Sequence, residues 1–263
     1  MSLRVGITPA ISLSVIAWAV ATGAAPGHPA PPAARSQHVL TGLSAGAIER
    51  TAQPAAPSSL TYVVERNTGY DDSVTRWDPC SPIRWQINLH GAPPGALGVA
   101  TGAVRRIALA TGMHFVFAGT THAVPQSDWG ATSTPPLTIA WARPGTGPGR
   151  TDLLPGGQIV GMGGTRSSGT STDGVHWNFR IVTGYVVLDA SASRSFPASF
   201  AAQPSLGGLL MHELGHAVGL GHAGDRHEIM YPSVVPGEPS TWGTGDRTAL
   251  HLVGAPAGCI PTS

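Results

Sequence analysis

The stretch from His212 to His222 constrains this chain more than any other. It reads His212-Glu213-Leu214-Gly215-His216-Ala217-Val218-Gly219-Leu220-Gly221-His222. Residues four apart on an α-helix lie one above the other on the same face, so His212 and His216 can aim two imidazoles at one point. Glu213 sits about 100° round the helix from His212 and reaches that point without joining the pair. If the helix ran on, His222 would lie roughly 9 Å past His216, at about 1.5 Å per residue. Nitrogens around one zinc ion each lie about 2.0–2.1 Å from it. The helix must therefore stop and turn before His222 can join the set. Gly219 and Gly221 are placed to supply the turn, because glycine accepts the positive φ that ends helices. Three neutral imidazoles leave one tetrahedral position open to water, the catalytic rather than the structural zinc pattern. The expected metal ligands are His212, His216 and His222, holding one catalytic Zn2+, with Glu213 as the catalytic residue. Asp225 and His227 lie in the same turn and are the alternatives to His222.

Met230-Tyr231-Pro232 follows His222 at the spacing of a methionine turn. Together with the H-E-L-G-H and G-L-G-H segments, it makes His212 to Pro232 resemble the matrixin branch of the metzincins. The resemblance implies an α+β fold of the metzincin catalytic type: a twisted, mostly parallel sheet, an active-site helix and a small C-terminal subdomain. It also implies that Met230 lies under the zinc as a packed floor, not as a ligand. The activity implied is zinc-dependent endopeptidase hydrolysis, with Glu213 as general base to a zinc-activated water. The alternatives are a zinc amidase acting on cell-wall peptides and a non-catalytic zinc-binding secreted domain.

The sequence departs from that family in two places. Matrixins commonly carry a pro-segment whose cysteine caps the zinc, and no cysteine precedes Cys80 here. They also bind a second zinc and calcium through a loop rich in histidine and aspartate. His122, Asp128, Asp152, Asp173, His176 and Asp189 are scattered instead, so no second metal site is expected and calcium stays open.

A length of 263 residues with 41% hydrophobic content suits one domain plus extensions. A net charge of +1 without a basic run excludes an electrostatic footprint for nucleic acid. Residues 1–25 read as a secretory signal, with Arg4 ahead of the apolar stretch Ile11 to Val20 and a small-x-small site at Ala19-Val20-Ala21. The expected location is secreted, with no stable membrane insertion after signal cleavage, a protein or peptide substrate as partner, and a monomeric state. Residues 26–59 are rich in proline, alanine and serine and read as a linker or short pro-segment. The metallopeptidase domain is expected over 60–263. Cys80 and Cys259 are the two cysteines, and export makes a disulfide their natural pairing. Closing so long a loop stabilises by about 4–5 kcal/mol in the chain-entropy model.

Within the domain, alternation predicts a strand over Pro82 to Leu89. A helix is predicted over Gly95 to Thr111, with Leu97, Ala100, Val104, Ile107 and Ala108 on its apolar stripe. Strands are predicted at His114 to Phe117, Leu137 to Trp141 and Arg180 to Leu188. By position, Gly156 to Gly161 resembles the edge strand on which matrixins lay an extended peptide, and an exposed edge can accept a strand. Gly163 to Gly174 reads as a loop by composition. Leu206 to Val218 is the predicted active-site helix, capped by Ser205. Pro232 to Trp242 is an irregular wall, and Thr244 to Val253 a closing helix.

Overall fold

The computed structural model describes residues 13–20, 62–66, 73–170 and 178–261, with backbone only for 13–20, 170 and 178. It has an α+β architecture built on one large mixed sheet. The strands are β1 (Leu13–Val20), β2 (Val63–Val64), β3 (Ile83–Asn88), β4 (Phe115–Thr120), β5 (Leu137–Pro144), β6 (Arg150–Thr151), β7 (Ile159–Thr170), β8 (Asn178–Asp189), β9 (Leu220–Gly221) and β10 (Ser233–Val234). The helices are α1 (Ala96–Thr111), α2 (Leu206–Ala217) and α3 (Thr244–Val253). The large sheet runs β10-β1-β7-β8-β5-β3-β4. Pairs β8–β5, β5–β3 and β3–β4 are parallel, while β7 runs antiparallel to β8. The mostly parallel sheet expected from the family resemblance is therefore present. Parallel strands joined in this way need a crossover between them, and α1 supplies it between β3 and β4.

The central strands are buried on both faces, which explains their composition. Leu137 to Ala142 of β5 and Tyr185 to Leu188 of β8 are all buried, as a parallel sheet covered on both sides requires. Two core layers result. One packs α1 and α2 against the sheet through Ile87, Ile107, Leu137, Ile139, Leu188, Leu210 and Leu214. The other lies on the far face, where Met162, Tyr185 and Val187 pack with Leu153 and Leu154.

Most predicted elements lie where the periodicity places them, and two do not. On α1 the buried residues are Ala96, Val99, Ala100, Ala103, Val104, Ile107 and Thr111. Leu97 is 40% exposed, so the buried stripe is rotated toward small residues that let the helix approach the sheet. The second difference is β7, which continues through Gly163 to Thr170 where composition suggested a loop. Its partner explains this. β8 is rich in β-branched and aromatic residues, and the two strands stay paired from Gly161 opposite Leu188 to Thr170 opposite Asn178. Residues 171–177 of the expected loop lie outside the described residues.

Leu13–Val20, inside the expected signal, forms β1; the remainder of 1–25 and all of 26–59 lie outside the described residues. Cys80 and Cys259 form a disulfide across a separation of 179 residues. Beside it, Asp78 accepts from the amides of Cys80 (3.1 Å) and Ile260 (3.3 Å), so the two ends of the domain are tied twice. Among the described residues no helix is long and apolar enough to cross a membrane.

Candidate metal centre

The site is assembled on α2. Ser205, in extended conformation, caps the helix by accepting from the Gly208 amide at 3.1 Å. This satisfies one of the amides that a helix start leaves unpaired. All twelve residues of α2 are buried, so the helix is a core element rather than an amphipathic surface one. It ends at Val218, and Gly219 takes φ +103° while its amide donates to the His216 carbonyl at 3.0 Å. A side chain at Gly219 would also press on the Thr75 carbonyl. Of the two glycines expected to turn the chain, Gly219 alone does so with a positive φ. Gly221 serves a different need: a Cβ there would meet Val63 Cγ1 at 2.6 Å. After the turn the chain enters β9, which pairs with β2 through Val63 opposite Gly221 and Val64 opposite Leu220. That small sheet carries His222 back beside the helix.

His212, His216 and His222 converge, each offering a ring nitrogen within 4.8 Å of the others. Their ring centroids lie 4.7, 5.3 and 4.9 Å apart. The hydrogen bonds fix which nitrogen faces inward. His212 Nδ1 donates to the Ile229 carbonyl at 2.7 Å, and His216 Nδ1 donates to the Leu220 carbonyl at 2.8 Å. A carbonyl only accepts, so both protons sit on Nδ1. The two Nε2 atoms then face each other as lone pairs at 3.1 Å. Two such acceptors repel unless a cation lies between them. Two nitrogens on one tetrahedral zinc lie roughly 3.3 Å apart, taking about 2.0–2.1 Å for each bond. The donor set therefore fits zinc. The carbonyl partners are the outer-shell bonds that hold ligating imidazoles in one tautomer.

Burial keeps the His212 and His216 rings neutral. It lowers His212 well below the usual histidine range, and neighbouring His216 and His222 push the same way. His216 falls to about 4, again chiefly through burial. Asp225 and His227, the alternative third ligands, stay outside the cluster. Asp225 Oδ1 accepts from the His227 amide at 3.0 Å, and the exposed His227 ring meets Glu238 Oε2 at 3.0 Å.

Glu213 is fully buried, and neither carboxylate oxygen meets hydrogen-bond geometry with any described residue. Burial raises its pKa well above the ordinary value, offset in part by the nearby Gly163 amide. A carboxylate with so little solvation binds a proton strongly. Two glycines of β7 make room for it. A Cβ on Gly161 would lie 2.6 Å from Glu213 Oε1, and one on Gly163 would overlap the Glu213 backbone carbonyl. The sequence reading placed Gly161 at the end of the edge-like stretch and Gly163 in a loop, so it missed that both face Glu213. The usable signal was the i, i+2 glycine spacing, which puts both on one face of a strand.

Met230 is buried, and a Cβ on Gly215 would run into its sulfur. The methionine thus packs beneath the helix between the two ligand positions, as the family resemblance implies. Its turn is held by a pair of acids that sequence reasoning also missed. Asp246 accepts from the amides of Ile229 (2.6 Å), Met230 (3.2 Å) and Gly243 (3.1 Å). Glu228 reaches the other way and accepts from Gly245 and Asp246, both at 2.8 Å, at the start of α3. The same Ile229 residue donates to Asp246 and accepts from His212, so this clasp positions a candidate ligand. Burial, and next the Glu228 carboxylate, push Asp246 up to about 7. An acid in the first turn of the predicted closing helix was the signal available for it.

No curated protein matches the chain. Among solved structures, metalloproteinase-II from Bacteroides fragilis aligns with a TM-score of 0.36 and 15% identity, over 71% of this chain. The chain spans 57% of the length of that protein. The matrixin peptidase family model matches residues 159–248, a range that takes in β7, all three histidines, Met230 and the start of α3. Over that range, with the metal-fitting histidine cluster and the packed methionine floor at its centre, the chain is similar to the matrixins.

Proposed function

We propose that the protein is a secreted zinc-dependent endopeptidase, with residues 1–25 as its export signal and a monomeric metallopeptidase domain over 60–263. One observation carries this reading: three imidazoles converge beside a buried carboxylate that packs against the glycines of β7. Zinc held by His212, His216 and His222 would polarise a peptide carbonyl and acidify a water at the open position. Glu213 then takes the proton of the attacking water and passes it to the leaving amine. Its burial favours the first transfer, because a carboxylate stripped of solvent is a stronger base. The Ile229 and Leu220 carbonyls hold the His212 and His216 rings in the required tautomer throughout.

Peptide-library profiling of the purified chain, with and without a zinc chelator, tests the reading. Chelator-sensitive cleavage within peptides supports it. Cleavage confined to cell-wall peptides would replace it with the amidase, and zinc uptake without any cleavage with the binding domain.

A further inference from the structure

His222 stands outside the helix that carries His212 and His216, so its place depends on how the chain leaves α2. The last four carbonyls of a helix lack partners within it. Here the next two amides close three of them. Val218 donates to the Leu214 (3.1 Å) and Gly215 (3.2 Å) carbonyls, and Gly219 donates to that of His216. The carbonyl of the fully buried Ala217 is met from far off in the chain. The Trp77 indole Nε1 donates to it at 2.9 Å, across a separation of 140 residues. Gly184 of β8 leaves room for this oxygen, which a Cβ there would approach to 3.2 Å. Two residues further on, the Gly219 carbonyl accepts from the Glu65 amide at 2.8 Å. The turn between His216 and His222 is thus held by two donors that precede β3.

The indole is itself held in place. The Arg76 carbonyl accepts from the Ile181 amide of β8 at 2.8 Å, and the Arg76 guanidinium donates to the Gly258 carbonyl at 2.8 Å. On the other side of Trp77, Asp78 ties the chain to Ile260. The ring packs against the main core. Trp77 therefore presents its single side-chain donor from a position set by β8 and the chain end. The turn it holds serves two rings: the Leu220 carbonyl accepts from His216 Nδ1, and Gly221 leads directly into His222.

We infer that Trp77 is a positioning residue for the candidate metal centre: its indole N–H holds the carbonyl end of α2, so that the following turn delivers His222 to the His212–His216 pair. The inference rests on the zinc part of the function proposed above. Without that bond the Ala217 carbonyl is buried with no donor, a state the chain leaves by shifting the turn toward water. Zinc must then re-order the turn on binding, and its affinity falls by the fraction of chains in which His222 is in place.

Trp77→Phe tests this, because it keeps an aromatic ring against the core and deletes the donor. Competition with a chromogenic chelator should show zinc held about tenfold more weakly, the lower end of the effect of outer-shell partners. A general loss of stability would act whatever the ligand set, whereas a lost position for His222 matters only while His222 is there. In the His222→Ala background the same change should therefore weaken binding about twofold or less. An unaltered affinity, or the same factor in both backgrounds, overturns the inference. Hydrogen exchange on the metal-free chain gives a reading that needs no zinc. The amides of 219–221 should exchange about tenfold faster in Trp77→Phe, as for loss of a hydrogen bond that holds them, while those of 209–212 keep the parent rate. Equal exchange at 219–221 also overturns the inference. Should Trp77→Phe unfold the domain, Glu65→Pro is read in the same way, since proline removes the other donor to the turn and leaves the core side chains unchanged. A parent chain that takes up no zinc would defeat the zinc reading instead, and exchange at 219–221 then decides the role of Trp77 by itself.

Discussion

His212 and His216 each commit Nδ1 to a carbonyl and turn Nε2 inward, so the ligand field is set before any metal arrives. Removing one ring leaves an incomplete set. His222→Ala is expected to weaken zinc binding by at least about tenfold, as loss of one of three protein ligands implies, while His227→Ala leaves it unchanged. Competition with a chromogenic chelator reads both variants, and tight binding by His222→Ala would move the third ligand elsewhere. Glu213 is a different kind of residue, because it supplies a base and no metal bond. Glu213→Ala should keep about one zinc per chain while turnover falls by about 10²–10⁴, the range for loss of general base catalysis. Metal analysis alongside peptide hydrolysis checks it, and full activity with a bound zinc would refute the base assignment.

Elements meet at this site through small residues and shared acids. β7 comes close to α2 only because Gly161 and Gly163 carry no side chain toward Glu213. Gly163→Ala is expected to cost about 1–3 kcal/mol in overpacking, read as a lower denaturation midpoint with an unchanged slope. Between the methionine turn and α3, Glu228 and Asp246 are both buried, and burial, followed by the Glu228 charge, pushes Asp246 up to about 7 from 3.8. The folded chain therefore holds a proton that the unfolded chain has released. Folded binding exceeds unfolded binding from about pH 4 to about pH 7, so this group's contribution to stability falls as pH rises through that window and is level above it. Glu228→Gln removes the neighbouring charge and flattens that fall, but leaves one α3 amide facing an amide group. The variant should accordingly be less stable than the parent by about 1–3 kcal/mol at the acid end, with a smaller deficit at pH 8. Urea denaturation across pH measures it, and a deficit that grows with pH would contradict the clasp.

Across the whole molecule, the Cys80–Cys259 bond ties the segment before β3 to the chain end after α3. Replacing both cysteines with alanine should lower unfolding free energy by about 2–5 kcal/mol, measured by denaturant titration; no change would mean that the unfolded chain gains nothing from release of the loop. The bond was legible in the sequence, because a chain with two cysteines offers each of them one possible partner. So were α2 with its Ser205 cap, the i, i+4 pair His212 and His216, and the strands at β3, β5 and β8. Each depends on neighbours within a turn or on strict alternation, and local sterics and hydrogen bonding act at that range. The arrival of His222 was legible only as a requirement that the helix stop. Where it goes is decided by β9 pairing with β2, whose residues lie more than a hundred positions earlier. The Glu228–Asp246 clasp, the glycine face of β7 against Glu213 and the strand character of 163–170 likewise depend on partners distant in the chain. Composition alone made 163–170 a loop, and β8 made it a strand. Local chemistry in the sequence determined which residues could bind a metal and on what element they sit. Tertiary packing decided how closely they converge, what orients them and what covers them, because those distances exist only once remote segments have been brought together.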